Sequence, residues 1–381
     1  MQLAFLLGSL ILLGRVTPEV FVEFQSMLAL WPWMTLFTLG CERLGRRHAP
    51  GLAAKTESHY TAALMALACV APGLGILAGG LAAWTFRGGM EWAVLGWLAT
   101  TVAISMAGRE ALLAQGHAAV AALGQSAALA TALLLMLAWV MTGQTSYTTL
   151  LLTYALPHLT WGVWCWQRSG LGWAWPDFRA WRRLLPEAWP YALQTASYLM
   201  LACLDVLMLR AQAAEEVLPY FLLTRPVVAA FTVSSLLLTR WTHHQATQPS
   251  TLRLNYSKAV WTGLVFAGVA ACVTTLWGET LYRAIAPNLA RAEWQMDVLP
   301  GLLLLVLGRS LCEASQVLAG AHGTRSMALT MGWVGLLGSA LIAWTSRSGW
   351  HAVLWASAAV WATAGLMSAF QLFRHQPPPA G

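Results

Sequence analysis

The chain has 381 residues, of which 58% are hydrophobic and only 10% charged, with 22 tryptophans and a formal net charge of +7. A soluble domain carries about 25% charged residues, so this composition excludes an ordinary cytosolic enzyme, a disordered chain and a nucleic-acid binder, and leaves a polytopic membrane protein. The basic excess concerns orientation before partners, because the basic residues gather in alternate loops.

A helix needs roughly 20 apolar residues to cross a bilayer. Twelve stretches approach this, at 1–14, 20–41, 60–84, 91–108, 117–141, 146–166, 188–209, 217–240, 258–281, 295–318, 326–345 and 350–373. The first, MQLAFLLGSLILLG, has no basic n-region and no small-x-small site, which points to a span and not a cleaved leader. It is short, so either residues precede it or it borrows Val16 and Pro18 at the interface. Pro32, Pro72, Pro157, Pro226 and Pro300 interrupt spans 2, 3, 6, 8 and 10, as proline often does in membrane helices. The six cysteines stand singly and read as small packing residues, with no spacing suited to zinc or a disulfide framework.

Orientation follows from counting Lys and Arg on alternate sides. With the N-terminus inside, fourteen of the 22 fall on inner segments and six on outer ones (Arg15, Arg87, Arg210, Arg283, Arg291, Arg347), while Arg225 and Arg309 lie within spans. Both termini are therefore expected in the cytoplasm. The longest segment outside the spans, Gln167 to Glu187, carries GWAWPDFRAWRRLLPEAW up to the start of span 7 and is expected to lie on the inner interface. It divides the chain into a six-helix lobe at 1–166, a linker at 167–187, a second six-helix lobe at 188–373 and a tail at 374–381.

The two lobes echo one another. LLGRVTPEVFVEF (12–24) between spans 1 and 2 matches LRAQAAEEVLPYF (209–221) between spans 7 and 8, aligning Glu19-Val20 with Glu216-Val217 and Phe24 with Phe221. LAQGH (113–117) after span 4 matches LAGAH (318–322) after span 10. Two matches in corresponding places indicate a six-plus-six duplication, and the expected fold is an all-α membrane protein of about twelve helices in two related lobes.

LLGRVTPEVFVEF (12–24), LLPEAWPYALQTASYLMLACLDVLMLRAQAAEEVLPYFLLTRPV (184–227) and LWGETLYRAIAPN (276–288) resemble the polysaccharide flippases of the multidrug/oligosaccharidyl-lipid/polysaccharide (MOP) exporter superfamily, the group with the O-antigen repeat-unit flippases. The resemblance rests on a proline at the start of span 7 (Pro186 or Pro190), an acidic residue near its outer end (Asp205), and an acidic-then-aromatic turn (Glu215-Glu216, Tyr220-Phe221). Where that family has a glycine before the aromatic residue, this chain has Val22 or Pro219. The resemblance implies alternating access by rocking of the lobes, carrying a polyprenyl-diphosphate-linked oligosaccharide across the bacterial inner membrane for polysaccharide biosynthesis. Membrane lipids and other polysaccharide-assembly proteins are its implied partners.

Charges within spans are costly, on the order of 2.5–3.5 kcal/mol each at the bilayer centre, so each calls for a partner or a watery cavity. Arg309 and Glu313 are four apart on span 10 and share a helical face. They form either a structural ion pair or a cavity-lining cation held by its carboxylate. Arg225, about two turns into span 8 and directly before Pro226, lies at a depth similar to Asp205, so the two either clamp the hairpin or present Arg225 to a diphosphate, which its planar fork suits. Glu23 near the outer interface is either solvated or a charge partner, and Arg15 reads as a snorkelling interface residue for which the resemblance implies a role at the substrate's rim. The substrate-binding set is thus Arg225, Arg309 and Arg15, and the ion-coupling or charge-partner set Asp205, Glu313 and Glu23. His158 behind Pro157 is either a packing residue or a proton carrier, and His243-His244 read as a solvated loop with poor metal spacing.

No GxxxxGK[ST], HExxH or GxSxG motif occurs, and the loops are short for catalysis. A non-enzymatic carrier needing no cofactor or metal is expected. An ion-coupled exporter of amphipathic small molecules and a multi-pass glycan polymerase are the alternatives.

Overall fold

The computed structural model of the protein describes residues 14–30, 91–114, 117–143, 146–169, 178–245, 252–285, 296–322 and 325–374. The spans expected at 1–14 and 60–84, span 2 beyond Leu30, and with them Pro32 and Pro72, lie outside these residues. Ten α-helices occur among the described residues: α1 (Pro18–Leu30), α2 (Glu91–Ala114), α3 (Ala118–Met141), α4 (Tyr147–Arg168), α5 (Phe178–Gln212), α6 (Val217–Gln245), α7 (Leu252–Ile285), α8 (Leu299–His322), α9 (Arg325–Thr345) and α10 (Trp350–Arg374). Short 3-10 turns at Ala214–Glu216, Met296–Val298 and Ser346–Ser348 join some of them. The protein is an all-α integral membrane protein.

Among the described residues four stretches, Ala119–Met141, Arg253–Ala284, Ser326–Ser348 and Trp350–Arg374, are long and apolar enough to cross a membrane, and the two arms of α5 together make a fifth. Their outward faces carry what lipid covers: Val265, Phe266, Val269 and Trp277 on α7, and Trp333, Leu337 and Trp344 on α9, are all exposed. At 34 residues α7 is about 51 Å long, well beyond the roughly 30 Å hydrocarbon core. Its polar ends, with Arg253 and Lys258 at one and a Glu279–Arg283 ion pair at the other, fit that excess.

Several buried or half-buried hydroxyls in the helices are satisfied by the backbone of their own helix. Thr101 donates to the Trp97 carbonyl at 2.9 Å, Thr153 to Thr149 at 2.7 Å, Thr224 to Tyr220 at 2.8 Å and Ser339 to Gly335 at 2.7 Å. This back-bonding to residue i−4 spares each buried O–H the cost of an unmade hydrogen bond.

Two findings differ from expectation. The segment expected to lie apart on the interface is continuous, from Phe178 on, with span 7, and Pro186 and Pro190 sit inside one helix. The helix instead bends by 45° between its Ala192–Tyr198 and Met200–Gln212 arms. Ser197, next to that bend, donates to the Gly332 carbonyl at 2.8 Å, and Gly335 of α9 lies so close that an added Cβ would stand 2.1 Å from the Ser197 Cβ. Second, Pro300 does not interrupt its helix: it is the second residue of α8, in the first turn, where a missing N–H has no intrahelical partner to lose.

The described residues form two compact units. The N-terminal unit holds those from Glu23 through Ala196, and the C-terminal unit holds those up to Val22 together with Ser197 onward. In the N-terminal unit α4 packs on α2 and α3; in the C-terminal unit α10 packs on α8 and α9, with α6 and α7 against α8. Lipid tails are as apolar as leucine, so such helix pairs are held by close packing more than by water exclusion. Both tight pairs are glycine-mediated. A Cβ on Gly108 (α2) would stand 2.1 Å from the Gly162 oxygen of α4, and one on Gly308 (α8) 2.3 Å from the Ala362 nitrogen of α10. At the end of α3, Gly143 takes φ +82, a left-handed geometry open to glycine, and its N–H donates back to the Val140 carbonyl. Gly349 (φ +92) opens the way into α10, whose first N–H, that of Trp350, donates to the Glu216 carboxylate at 2.6 Å. Glu216 thereby caps α10 from the turn before α6, a charge-assisted bond on the positive end of the helix.

Candidate functional site

Four of the six charges singled out from the sequence converge in the C-terminal unit. Arg309 and Glu313 sit one turn apart on α8, and the Arg309 Nε–H donates to the Glu313 Oε1 at 3.4 Å. That is a long contact, so the carboxylate is shared: the Tyr198 hydroxyl of α5 donates to the same Glu313 oxygen. Arg309 is only 7% exposed. Its guanidinium carbon lies 5.0 Å from the centroid of the Trp361 ring (α10) and 5.3 Å from that of Phe231 (α6), a cation held between two π faces. Trp361 in turn meets Tyr198 edge to face at 5.3 Å. Three helices besides α8 thus hold one cation in place.

Asp205, on α5, is held separately. The Tyr220 hydroxyl donates to one carboxylate oxygen at 2.5 Å, and the Val206 N–H donates to the other at 2.8 Å. Both Arg225 and Arg309 act on it electrostatically, so the two arginines and the two carboxylates belong to one charged cluster. Of the two alternatives for Asp205 and Arg225, the direct clamp does not form: Tyr220 takes the carboxylate, and Arg225 lies over the Phe221 ring at 5.0 Å from its centroid. The Nε–H of Arg225 is buried and donates to no group among the described residues. An unmade bond to a buried donor costs about 1–3 kcal/mol, and a ligand oxygen is one way of meeting it.

The remaining candidates stand elsewhere. Arg15 is exposed in the turn before α1, and Glu23 is half-buried on α1. His158 is buried in the N-terminal unit, its ring 5.0 Å from that of Tyr154 one turn earlier. His243 and His244, expected in a loop, fall within the last turn of α6, the helix simply running further than its apolar stretch. Among the described residues no group of three or more His, Cys, Asp or Glu is placed to hold a metal ion.

Sequence reasoning missed Tyr198, Phe231 and Trp361. Tyr198 precedes Asp205 by seven residues, two helical turns on one face, and that spacing was a usable signal. For Phe231 and Trp361, which reach Arg309 from 78 positions before and 52 after in sequence, no local pattern exists.

No protein-family model and no curated protein matches the chain. Solved structures do. Over 97% of its length the chain is similar to an inward-facing multidrug resistance MATE family transporter of the MOP superfamily, with a TM-score of 0.66, 11% identity and 93% of that chain covered. A MATE protein in a straight conformation gives a TM-score of 0.64 at 13% identity, over 97% of this chain and 91% of that one. A MOP superfamily transporter from Pyrococcus furiosus gives 0.63 at 14%, over 97% and 90%. At such identities the likeness is one of fold.

Proposed function

We propose that the protein is a membrane transporter working by alternating access, and that it flips a polyprenyl-diphosphate-linked oligosaccharide across the inner membrane with both termini in the cytoplasm. The observation carrying this reading is the Arg225 Nε–H, a buried donor on a cation that no described group of the protein satisfies. A diphosphate brings acceptor oxygens in the planar spacing a guanidinium matches, and the polyprenyl tail stays in lipid. Neighbours of the same fold described as inward-facing and as outward-facing support alternation.

The charge balance of the cluster suggests how the site releases its load. With Arg225 and Arg309 set against Asp205 and Glu313, the formal charges cancel, and an arriving diphosphate competes with the two carboxylates for the guanidiniums. Neutralising Glu313 or Asp205 with a proton or a metal cation frees an arginine for substrate, and losing that cation returns it. The membrane potential is the other source of drive, about 2.3 kcal/mol per charge per 100 mV for an outward-moving anion when the cytoplasm is negative. Arg15, exposed before α1, is the rim contact in this scheme, and Glu23 a further charge partner.

A second reading, ion-coupled export of amphipathic small molecules, is favoured by neighbours described as multidrug resistance transporters. The aromatic rings around Arg309 would serve such cargo too. The deciding measurement is the leaflet distribution of lipid-linked saccharide in cells lacking the protein, complemented with wild type or with Arg225→Ala. Inner-leaflet accumulation relieved by wild type and not by a stably expressed Arg225→Ala supports the flippase. An unchanged distribution with altered drug efflux leaves the exporter.

A further inference from the structure

The glycine contacts of the two units recur at a common residue offset. Gly108 and Gly308 are 200 residues apart, and so are Trp161 and Trp361. In the N-terminal unit Gly162 abuts Ser105 and Gly108 abuts Gly162 and Cys165; in the C-terminal unit Gly308 abuts Trp361 and Ala362, and Gly365 abuts Gly308, Leu311 and Cys312. In both units residue numbers rise together along the contact, so each pair is parallel. The residue after the glycine is turned about 100° around the helix in the same sense in each pair. In the C-terminal unit that residue is Arg309. In the N-terminal unit it is Arg109, partly buried and acting electrostatically on Cys165, one turn beyond Trp161.

We infer that Arg109 is a second anion-binding residue, the counterpart of Arg309 in the N-terminal unit, and that it takes phosphate oxygens of the lipid-diphosphate class proposed above. This rests on the proposed function. Three observations carry it: the shared glycine register, the common side of the helix pair, and a tryptophan at the same place on the facing helix. A difference in depth gives Arg109 its own task. α2 ends at Ala114, five residues beyond Arg109, whereas α8 ends at His322, thirteen beyond Arg309. Arg109 therefore lies about 8 Å from the end of its helix and Arg309 about 20 Å from the end of its own. In its own unit Arg109 thus stands near a helix end, where a phosphate headgroup would meet it, whereas Arg309 stands well inside its helix.

The test uses the full chain in nanodiscs of zwitterionic lipid, with and without phosphatidylglycerol, titrated with farnesyl diphosphate, farnesol and inorganic pyrophosphate. Arg109→Gln is expected to weaken farnesyl diphosphate binding about tenfold and leave farnesol unchanged, the size of one lost charge-assisted contact. If that variant does not fold by size exclusion and tryptophan emission, Arg109→Lys is read instead. It keeps the charge, loses the planar fork, and is expected to weaken binding about threefold. Pyrophosphate binding that falls in step with farnesyl diphosphate supports recognition of the phosphates themselves. Unchanged farnesyl diphosphate affinity in the folded variant, while Arg309→Gln weakens it, overturns the inference and leaves the proposed function standing. An effect confined to phosphatidylglycerol discs overturns it too and makes Arg109 a general lipid anchor. Absence of farnesyl diphosphate binding by the wild type itself removes the proposed function, and this inference with it.

Discussion

The two units build one packing device and fill it with different chemistry. In each, a glycine on one helix of a parallel pair lets the backbones approach, at Gly108 against Gly162 and at Gly308 against Ala362. An arginine stands directly after each of these two glycines, Arg109 and Arg309. Four residues beyond Arg309 stands Glu313, while four beyond Arg109 stands Leu113. Arg309 has a carboxylate partner on its own helix and is sandwiched by Phe231 and Trp361. At the equivalent point on α4 the N-terminal unit has Trp161 in an apolar cluster with Leu112, Ala121, Ala128 and Cys165. Backbone packing tolerates little change because it sets the distance between helices, and the charges on that frame are free to diverge.

Removing the carboxylate partner of Arg309 gives the largest expected effect. Glu313→Ala leaves Arg309 buried without its carboxylate and should lower stability by about 3–5 kcal/mol, read as thermal unfolding in detergent without substrate. The double change Arg309→Met with Glu313→Met should recover most of that loss yet not restore transport; recovery of both would reduce the pair to scaffolding.

The shared feature predicts symmetry. Gly308→Val and Gly162→Val should each cost roughly 1–3 kcal/mol or more, since the added atoms run into backbone at Ala362 and at Ser105 and not into a movable side-chain tip. A large loss at one glycine with none at the other, on the same unfolding assay, would show that the packing is not duplicated.

Smaller effects sharpen the contrast. Tyr220→Phe removes the hydroxyl from Asp205 and should cost about 1–2 kcal/mol, with transport altered at the same time if Asp205 joins in coupling. At the end of α7, Glu279→Ala breaks an ion pair with the same spacing of four residues as Arg309 and Glu313, but with both side chains exposed. Its effect should stay below about 0.5 kcal/mol and vanish in high salt. One spacing, two environments and a several-fold difference in cost would show that burial, not the pair itself, sets the energy.

Much of this was legible in the chain. Every span expected from residue 91 onward is found as a helix, because twenty apolar residues in a row are a local property that lipid reads directly. The pairing of Arg309 with Glu313 was legible for the same reason, since positions four apart meet on any helix. The join of the interfacial segment to span 7 was not. Pro186 and Pro190 looked like a boundary, but a proline removes only one backbone bond, and a membrane helix carries on through it when its neighbours hold it.

Composition and spacing by themselves determined that the chain is a membrane protein, that helices run through the apolar stretches from residue 91 onward, and that Arg309 and Glu313 meet within a span, because apolar length and a spacing of four are local properties of a helix. Only the tertiary structure decided that Tyr220 and not Arg225 takes Asp205, that Tyr198 shares Glu313, and that Trp361 and Phe231 sandwich Arg309. Those partners come from helices distant in sequence, and which face each helix turns to the next is set by glycine-level packing that no periodicity in one helix records.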